Sequence, residues 1–504
     1  MAHHANADYV QRSPDSNFTM MQAFEWYCEG GGVHWDKLSE KSTELANWGI
    51  TALWIPPPTK AAGQDSVGYD IYDHWDLGEF DQKGGRRTKY GTREQLDNLI
   101  KVTRDKGIAI YLDAVFNHKF GADAVERFKA KEVDSDNRTQ EISDAYDVEG
   151  WTKFEFPGRG EKYSSLKWNF NHFTGVDYNA DGGKTAIFKI QGDGKDWARN
   201  VDHENGNYDF LMGADIDHHH PDVYSDFLAF GKWAVDEVGV TGFRFDAIKH
   251  IDEKFIGKFI SETRNTTKKP KLFAVGEFWK NDLGELDEYL STLGTQFSLF
   301  DTPLHYNFKQ AGDQGADFNL TQIFDNTIVQ KRPIDAVTLV DNHDTQVGQS
   351  LESWVNPMFK PIAYSLILLR PDGYPCVFWG DLYGCAGDNP QEPVSQLSDL
   401  ILARKLFAYG DLRDYFDHPN CVGWVRMGDS EHDGLAVVAC NGDEGLKRME
   451  VGKEHTGEKW IDLLGWHQGD VIIGEDGWAD FRCSARSVSV WIKEDARGRD
   501  ELKK

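Results

Sequence analysis

The chain has 504 residues, 40% hydrophobic and 27% charged, which suits several globular domains or one large barrel carrying insertions. A formal charge of −28 repels phosphate backbones and anionic lipid, so nucleic acid and membrane surfaces are excluded as partners unless the fold hides a local basic patch. No apolar run approaches the roughly 18 to 20 residues that cross a bilayer.

The chain opens with MAHHANADYVQRSPDSNF, which lacks the apolar segment of a secretory signal. It is therefore expected to be cytoplasmic, or a secreted mature form without its leader. HHANAD reads as a remnant of processing. Downstream, short apolar runs ending in polar residues alternate with amphipathic stretches, the pattern of an α/β protein. Buried strands are predicted in ITALWIPP (50–57), IAIYLDAVFNH (108–118), GFRFDAIKH (242–250), KLFAVGEFW (271–279), AVTLVDNHD (336–344) and YPCVFWGD (374–381). Apolar spacings of three and four predict helices in REQLDNLIKVTRDKG (93–107) and PDVYSDFLAFGKWAVDEVG (221–239).

Nearly every strand ends in polar residues: Asp113, Asn117 and His118, then Asp246, Glu277, Asp344 and Asp381. A (β/α)8 barrel gathers such ends on one rim, whereas a doubly wound sheet more often carries a Gly-rich phosphate loop after its first strand, and no such loop occurs here. The expected architecture is a (β/α)8 TIM barrel in two parts, 1–117 and 222–410. A domain is inserted after the third strand at 118–221, where the rhythm breaks for too long to be a loop. Short alternating strands with turn signals predict an all-β sandwich at 411–496, followed by a frayed charged tail at 497–504. Six widely spaced cysteines without a CxxC pair read as buried thiols, with room for one or two disulfides.

In GFRFDAIKH, alternation sends Phe243 and Phe245 to one side and Arg244 and Asp246 to the other. A charged face turned inward must be paired or must line a site. Asp246, Glu277 and Asp344 each end a different strand, and three strands converge on one point. Two carboxylates about 5 to 5.5 Å apart suit retaining glycoside hydrolysis, one attacking ionised and one donating a proton. Arg244 is expected to keep Asp246 ionised, and partial desolvation beside Val275, Phe278 and Trp279 to raise Glu277 towards a general acid.

DAVFNH, GFRFDAIKH, GEFW and VDNHD resemble the four ordered motifs of the α-amylase family, family 13 of the glycoside hydrolases. MGADIDHHHPDV resembles its extra motif, and MQAFEWY, VGYDIYD and KYGT look most like the liquefying bacterial members and their fungal relatives. The likeness runs from about Gln22 to about Lys493. It implies an endo-acting enzyme that hydrolyses α-1,4-glucosidic bonds of starch-like glucans with retention and works as a monomer. Asp246 would be the nucleophile, Glu277 the acid/base and Asp344 the transition-state stabiliser. Arg244, His118 and His343 would bond the sugar at the point of cleavage, Tyr69 would stack on it, and Lys249 would contact the leaving-group side. The likeness also implies a structural calcium on Asn117, Asp209, Asp215 and the His250 carbonyl, with hard oxygen donors that suit this ion.

Departures from the bacterial pattern accompany the likeness. Thr174, Ala198 and His219 stand where further metal-binding carboxylates are found, so one calcium is expected there rather than a cluster. Asn420 and Asn441 replace acids that hold another calcium beside the C-terminal domain. Asp217 is placed either to join the calcium or to face solvent. The run His218 to His220 raises a zinc reading, opposed by the difficulty of turning adjacent loop residues onto one metal. The rivals are a transglycosylase or branching enzyme, a non-catalytic glucan-binding barrel and a zinc hydrolase.

Overall fold

The computed structural model describes residues 17–294 and 297–503; the expected HHANAD remnant lies outside them. Eight parallel strands close into a barrel: β1 (Met20–Gln22), β2 (Ala52–Ile55), β3 (Ala109–Ala114), β4 (Gly242–Phe245), β5 (Phe273–Gly276), β6 (Ser298–Phe300), β7 (Ala336–Leu339) and β8 (Tyr374–Phe378). Each pairs with its sequence neighbour, and β1 closes the ring on β8 and β2. β1 and β6 are the two strands that periodicity misses, being three residues each.

Helices α1 (His34–Trp48), α2 (Arg93–Arg104), α3 (Pro221–Trp233) and α4 (Glu253–Thr267) form part of the outer layer. α2 starts at a capping box in which Thr92 and Gln95 satisfy each other's backbone N–H, and it buries Leu96, Leu99, Ile100 and Thr103. The divided character of β4 is resolved by this layering. Phe243 and Phe245 point outward onto Phe259 of α4, with ring centroids 5.5 and 5.7 Å apart. Arg244 points into the barrel and is fully buried.

Between β3 and α3 the chain builds a six-stranded sheet in the order 118–119, 214–216, 173–179, 184–190, 124–133, 146–153. Its first two strands lie against the barrel rim, so the insertion forms one wall of the cleft described below. From Leu412 onward the chain forms a six-stranded and a two-stranded antiparallel sheet. Trp424 and Val437 on one face join the barrel's core, while Val425, Trp460 and Trp491 form a separate core on the other. All six cysteines are buried free thiols.

The expected charged tail differs from the observed chain end. Arg497 bonds Asp433, Leu502 packs against the core, and Arg499–Lys503 form a 3-10 helix. A second clasp joins the C-terminal domain to the barrel. Asn441 Nδ2 donates to the carbonyls of Gly315 and Phe318, both at 2.8 Å, and Asn420 Nδ2 to those of Ala316 at 2.6 Å and the Asn441 side chain at 3.0 Å. Amide N–H groups thus hold together what an ion would have to bridge. Because Asn441 is buried, Asn441→Ala strands two carbonyls and is expected to cost about 1–3 kcal/mol, seen as a lower urea midpoint.

Candidate active site

The carboxyl ends of the strands open into a cleft of about 560 Å³ lined by Trp26, Tyr69, His118, Tyr208, Met212, Asp246, Lys249, Glu277, Trp279, His343 and Asp344. The three acids anticipated on separate strands therefore share one cavity. At its floor the Arg244 guanidinium donates to Asp113 and Asp246, both at 2.8 Å, and to Glu277 at 2.5 Å. The register explains the fan: Arg244 sits directly between Asp113 of β3 and Val275 of β5, two residues short of Glu277.

Sequence reasoning placed Asp113 at a strand end but gave it no role. It is wholly buried and accepts from Arg244, from Trp54 Nε1 at 2.8 Å and from the Tyr69 hydroxyl at 2.8 Å. It fixes both the guanidinium and the Tyr69 ring. The available signal was an acid inside an otherwise apolar strand, which has to be paired. The wall residues Trp26, Tyr208, Met212 and Trp279 carried no comparable signal.

Four carboxyl groups around one guanidinium cannot all be ionised in a buried site. Burial raises Glu277, with Asp246 adding to the rise and Arg244 opposing it. Burial, then the neighbouring Glu277, holds Asp344 well above the usual carboxylate range. Asp246 is pushed up to about 6, chiefly by burial, against Arg244. Arg244, expected to keep Asp246 ionised, does favour its charged form, but the guanidinium is divided among three carboxyls and burial outweighs its share. The two acids also act on each other, Glu277 favouring the ionised Asp246 and Asp246 the protonated Glu277. Ala247 adopts a left-handed conformation (φ 49°), which aims its N–H at Glu277 Oε2 at 3.3 Å. Such strain in a non-glycine residue persists where surrounding contacts impose it.

The loop bearing His343 and Asp344 is tied down from below. Thr345 Oγ1 donates to Asp341 at 2.8 Å, and the buried Lys360 bonds Asp341 at 2.8 Å and also Asp381. The Gln22 amide lies 2.9 Å from His343 Nδ1, leaving Nε2 3.3 Å from Asp344 Oδ2. Burial lowers His343 well below its ordinary range, so its ring is neutral at neutral pH. The Tyr69 ring is nearly parallel to His343 and to Trp26, with centroids 5.0 and 6.1 Å away. His118 Nε2 donates to the Tyr69 carbonyl at 2.8 Å, and burial lowers its pKa to about 4. Lys249 reaches Glu204 at 3.3 Å, at the other end of the cleft wall.

Asn117, Asp209 and Asp215 are buried together where the insertion meets the barrel. Asn117 Oδ1 has no hydrogen-bond partner. Burial pushes Asp209 up to about 7, and burial plus Asp209 pushes Asp215 well above the carboxylate range. An orphaned amide oxygen beside two mutually repelling carboxyls is a donor set that a hard divalent cation satisfies. The neighbouring substitutions are absorbed by direct bonds. Thr174 Oγ1 donates to Asp215, Ala198 N donates to Asp209 at 2.8 Å, and His219 faces Asp252 at 3.3 Å. Asp217 pairs with Lys195 at 2.5 Å.

The three consecutive histidines diverge: His218 bonds the Phe116 carbonyl, His219 faces Asp252, and His220 caps α3. His172, His220 and Asp222 do bring ligand atoms within 4.8 Å of one another. Yet Nδ1 of both rings accepts a backbone N–H, from Asn169 and Asp222. Both Nδ1 lone pairs are thereby spent on backbone N–H groups rather than left for a metal.

Residues 29–399 match the family model for the alpha amylase catalytic domain, and residues 435–492 that for the alpha-amylase C-terminal domain. Over 482 residues the chain is 46% identical to the glucan 1,4-alpha-maltohexaosidase of Bacillus sp. (strain 707), covering 95% of this chain and 93% of that one. Over 478 residues it is 46% identical to the alpha-amylase of Geobacillus stearothermophilus, covering 94% and 87%. A solved Anoxybacillus alpha-amylase superposes with a TM-score of 0.62 over 96% of this chain and 99% of that one, at 17% identity, a likeness of fold.

Proposed function

Since this chain belongs to the α-amylase family of glycoside hydrolases, we propose that it cleaves internal α-1,4-glucosidic bonds of starch and related glucans with retention, through Asp246, Glu277 and Asp344. The observation that carries the roles is the sharing of one buried guanidinium by the Asp246 and Glu277 carboxyls, at 2.8 and 2.5 Å. Two acids drawn together by one guanidinium fit the close pair of a retaining enzyme better than the about 6.5–9.5 Å of an inverting one.

Asp246 attacks the anomeric carbon while Glu277 gives its proton to the departing glycosidic oxygen, so one C–O bond forms as another breaks. Glu277, now ionised, takes a proton from water, whose oxygen displaces Asp246 and restores the starting configuration. Asp344, protonated by its surroundings, bonds the hydroxyls of the distorted ring, the neutral His343 offers its Nε2–H, and His118, whose one N–H goes to the Tyr69 carbonyl, fixes the Tyr69 segment beside the sugar. Tyr69 presents a flat face to the sugar, and Lys249 lies where the leaving chain departs. Calcium would be held by Asn117, Asp209, Asp215 and the His250 carbonyl, and would brace the insertion against the barrel.

The acid limb of kcat/KM is expected near pH 6, because below it Asp246 takes up a proton and stops attacking. Arg244→Gln removes the main group favouring ionised Asp246 and should move that limb to higher pH. Hydrolysis is tested by reducing-end analysis on soluble starch. A rising count with short oligosaccharides is expected, whereas a constant count with altered chain lengths would establish a transglycosylase.

A further inference from the structure

The barrel end opposite the acids holds a second cavity, of about 590 Å³, set where five strands begin. Phe18, Thr51, Ala109, Thr241 and Leu272 each stand at or just before the first residue of β1 to β5. Two aromatic side chains line it, Phe18 and Tyr111, beside Ile108, Pro270 and Leu272, and Tyr111 is backed by Phe273, the ring centroids 4.5 Å apart. The Tyr111 and Tyr374 hydroxyls, 3.2 Å apart, bond each other. The floor therefore presents mainly apolar carbon, part of it ring face.

The rim is basic. Arg104 at the end of α2, and Lys269 and Lys271 in the turn before β5, line the mouth, and among the described residues no carboxylate does. The cleft and the cavities beside Arg370, Trp151 and Tyr383 each have at least one acid in their walls. In a chain with 83 acidic residues against 55 Lys and Arg, an acid-free cationic mouth runs against composition. Among the described residues none of the three cations has a salt-bridge partner. Lys269 reaches only the Val235 carbonyl, at 3.5 Å.

We propose that this cavity is a second ligand site, separate from the glucan cleft, for a small organic anion with a flat aromatic body. The floor takes the body and the three cations take the charge. A neutral sugar is a poor match, because many of its hydroxyls would face apolar side chains without partners. The volume lies within the about 300–1,000 Å³ of small-molecule sites.

The test is a fluorescence titration of the full chain with 8-anilinonaphthalene-1-sulfonate. Saturable one-to-one binding is expected, weakened by added salt and undisturbed by maltoheptaose. In K269E/K271E, which alters two exposed residues outside the cleft, affinity should fall by about tenfold or more at low salt, with starch hydrolysis unchanged. Absence of saturable binding, an affinity indifferent to the double charge reversal, or displacement of the probe by maltoheptaose would overturn the proposal.

Discussion

Asp246→Asn is expected to lower starch hydrolysis by about 10⁴-fold or more, and Glu277→Gln by about 10²- to 10⁴-fold. The two losses are separable by leaving group. A maltosyl fluoride departs without protonation, so Glu277→Gln should still form the sugar ester on Asp246 from that substrate, visible as a mass increase on the protein. Asp246→Asn should form none from any substrate. The geometry also predicts the side effect of each change. Removing the Asp246 charge takes away one of the groups that raise Glu277, whereas Glu277→Gln keeps a neutral group beside Arg244, as in the protonated native state. Equal activity of Glu277→Gln and the native chain on starch would contradict the assigned role.

Calcium removal is expected to have the next largest effect, and on stability more than on chemistry. A cation bound only by the folded chain stabilises it by about 4 kcal/mol when free calcium is a thousandfold above Kd, so a chelator should lower the thermal midpoint and added calcium restore it. Asp215→Asn should abolish that calcium increment. In the presence of chelator the same variant should be at least as stable as the native chain, since it removes one of two carboxyls that repel each other in a dry site. A native midpoint indifferent to both chelator and calcium would remove the ion from Asn117, Asp209 and Asp215.

The sequence by itself determined the alternation of strands and helices, the place of the insertion and the polar strand ends, because these rest on local periodicity and on residue types that a core rejects. Six of the eight barrel strands were legible in this way. β1 and β6 were not, since three residues in a closed ring are held by their neighbours' hydrogen bonds rather than by any pattern of their own. Arg244 next to Asp246 looked like a pair when only the chain was visible. Only the tertiary structure brought Asp113 and Glu277 to the same guanidinium, and the competition of four carboxyls for one buried cation then decided which of them keep their protons. The acid-free basic mouth was likewise invisible in a chain of net charge −28, because Arg104 and Lys269 become neighbours only when the barrel closes.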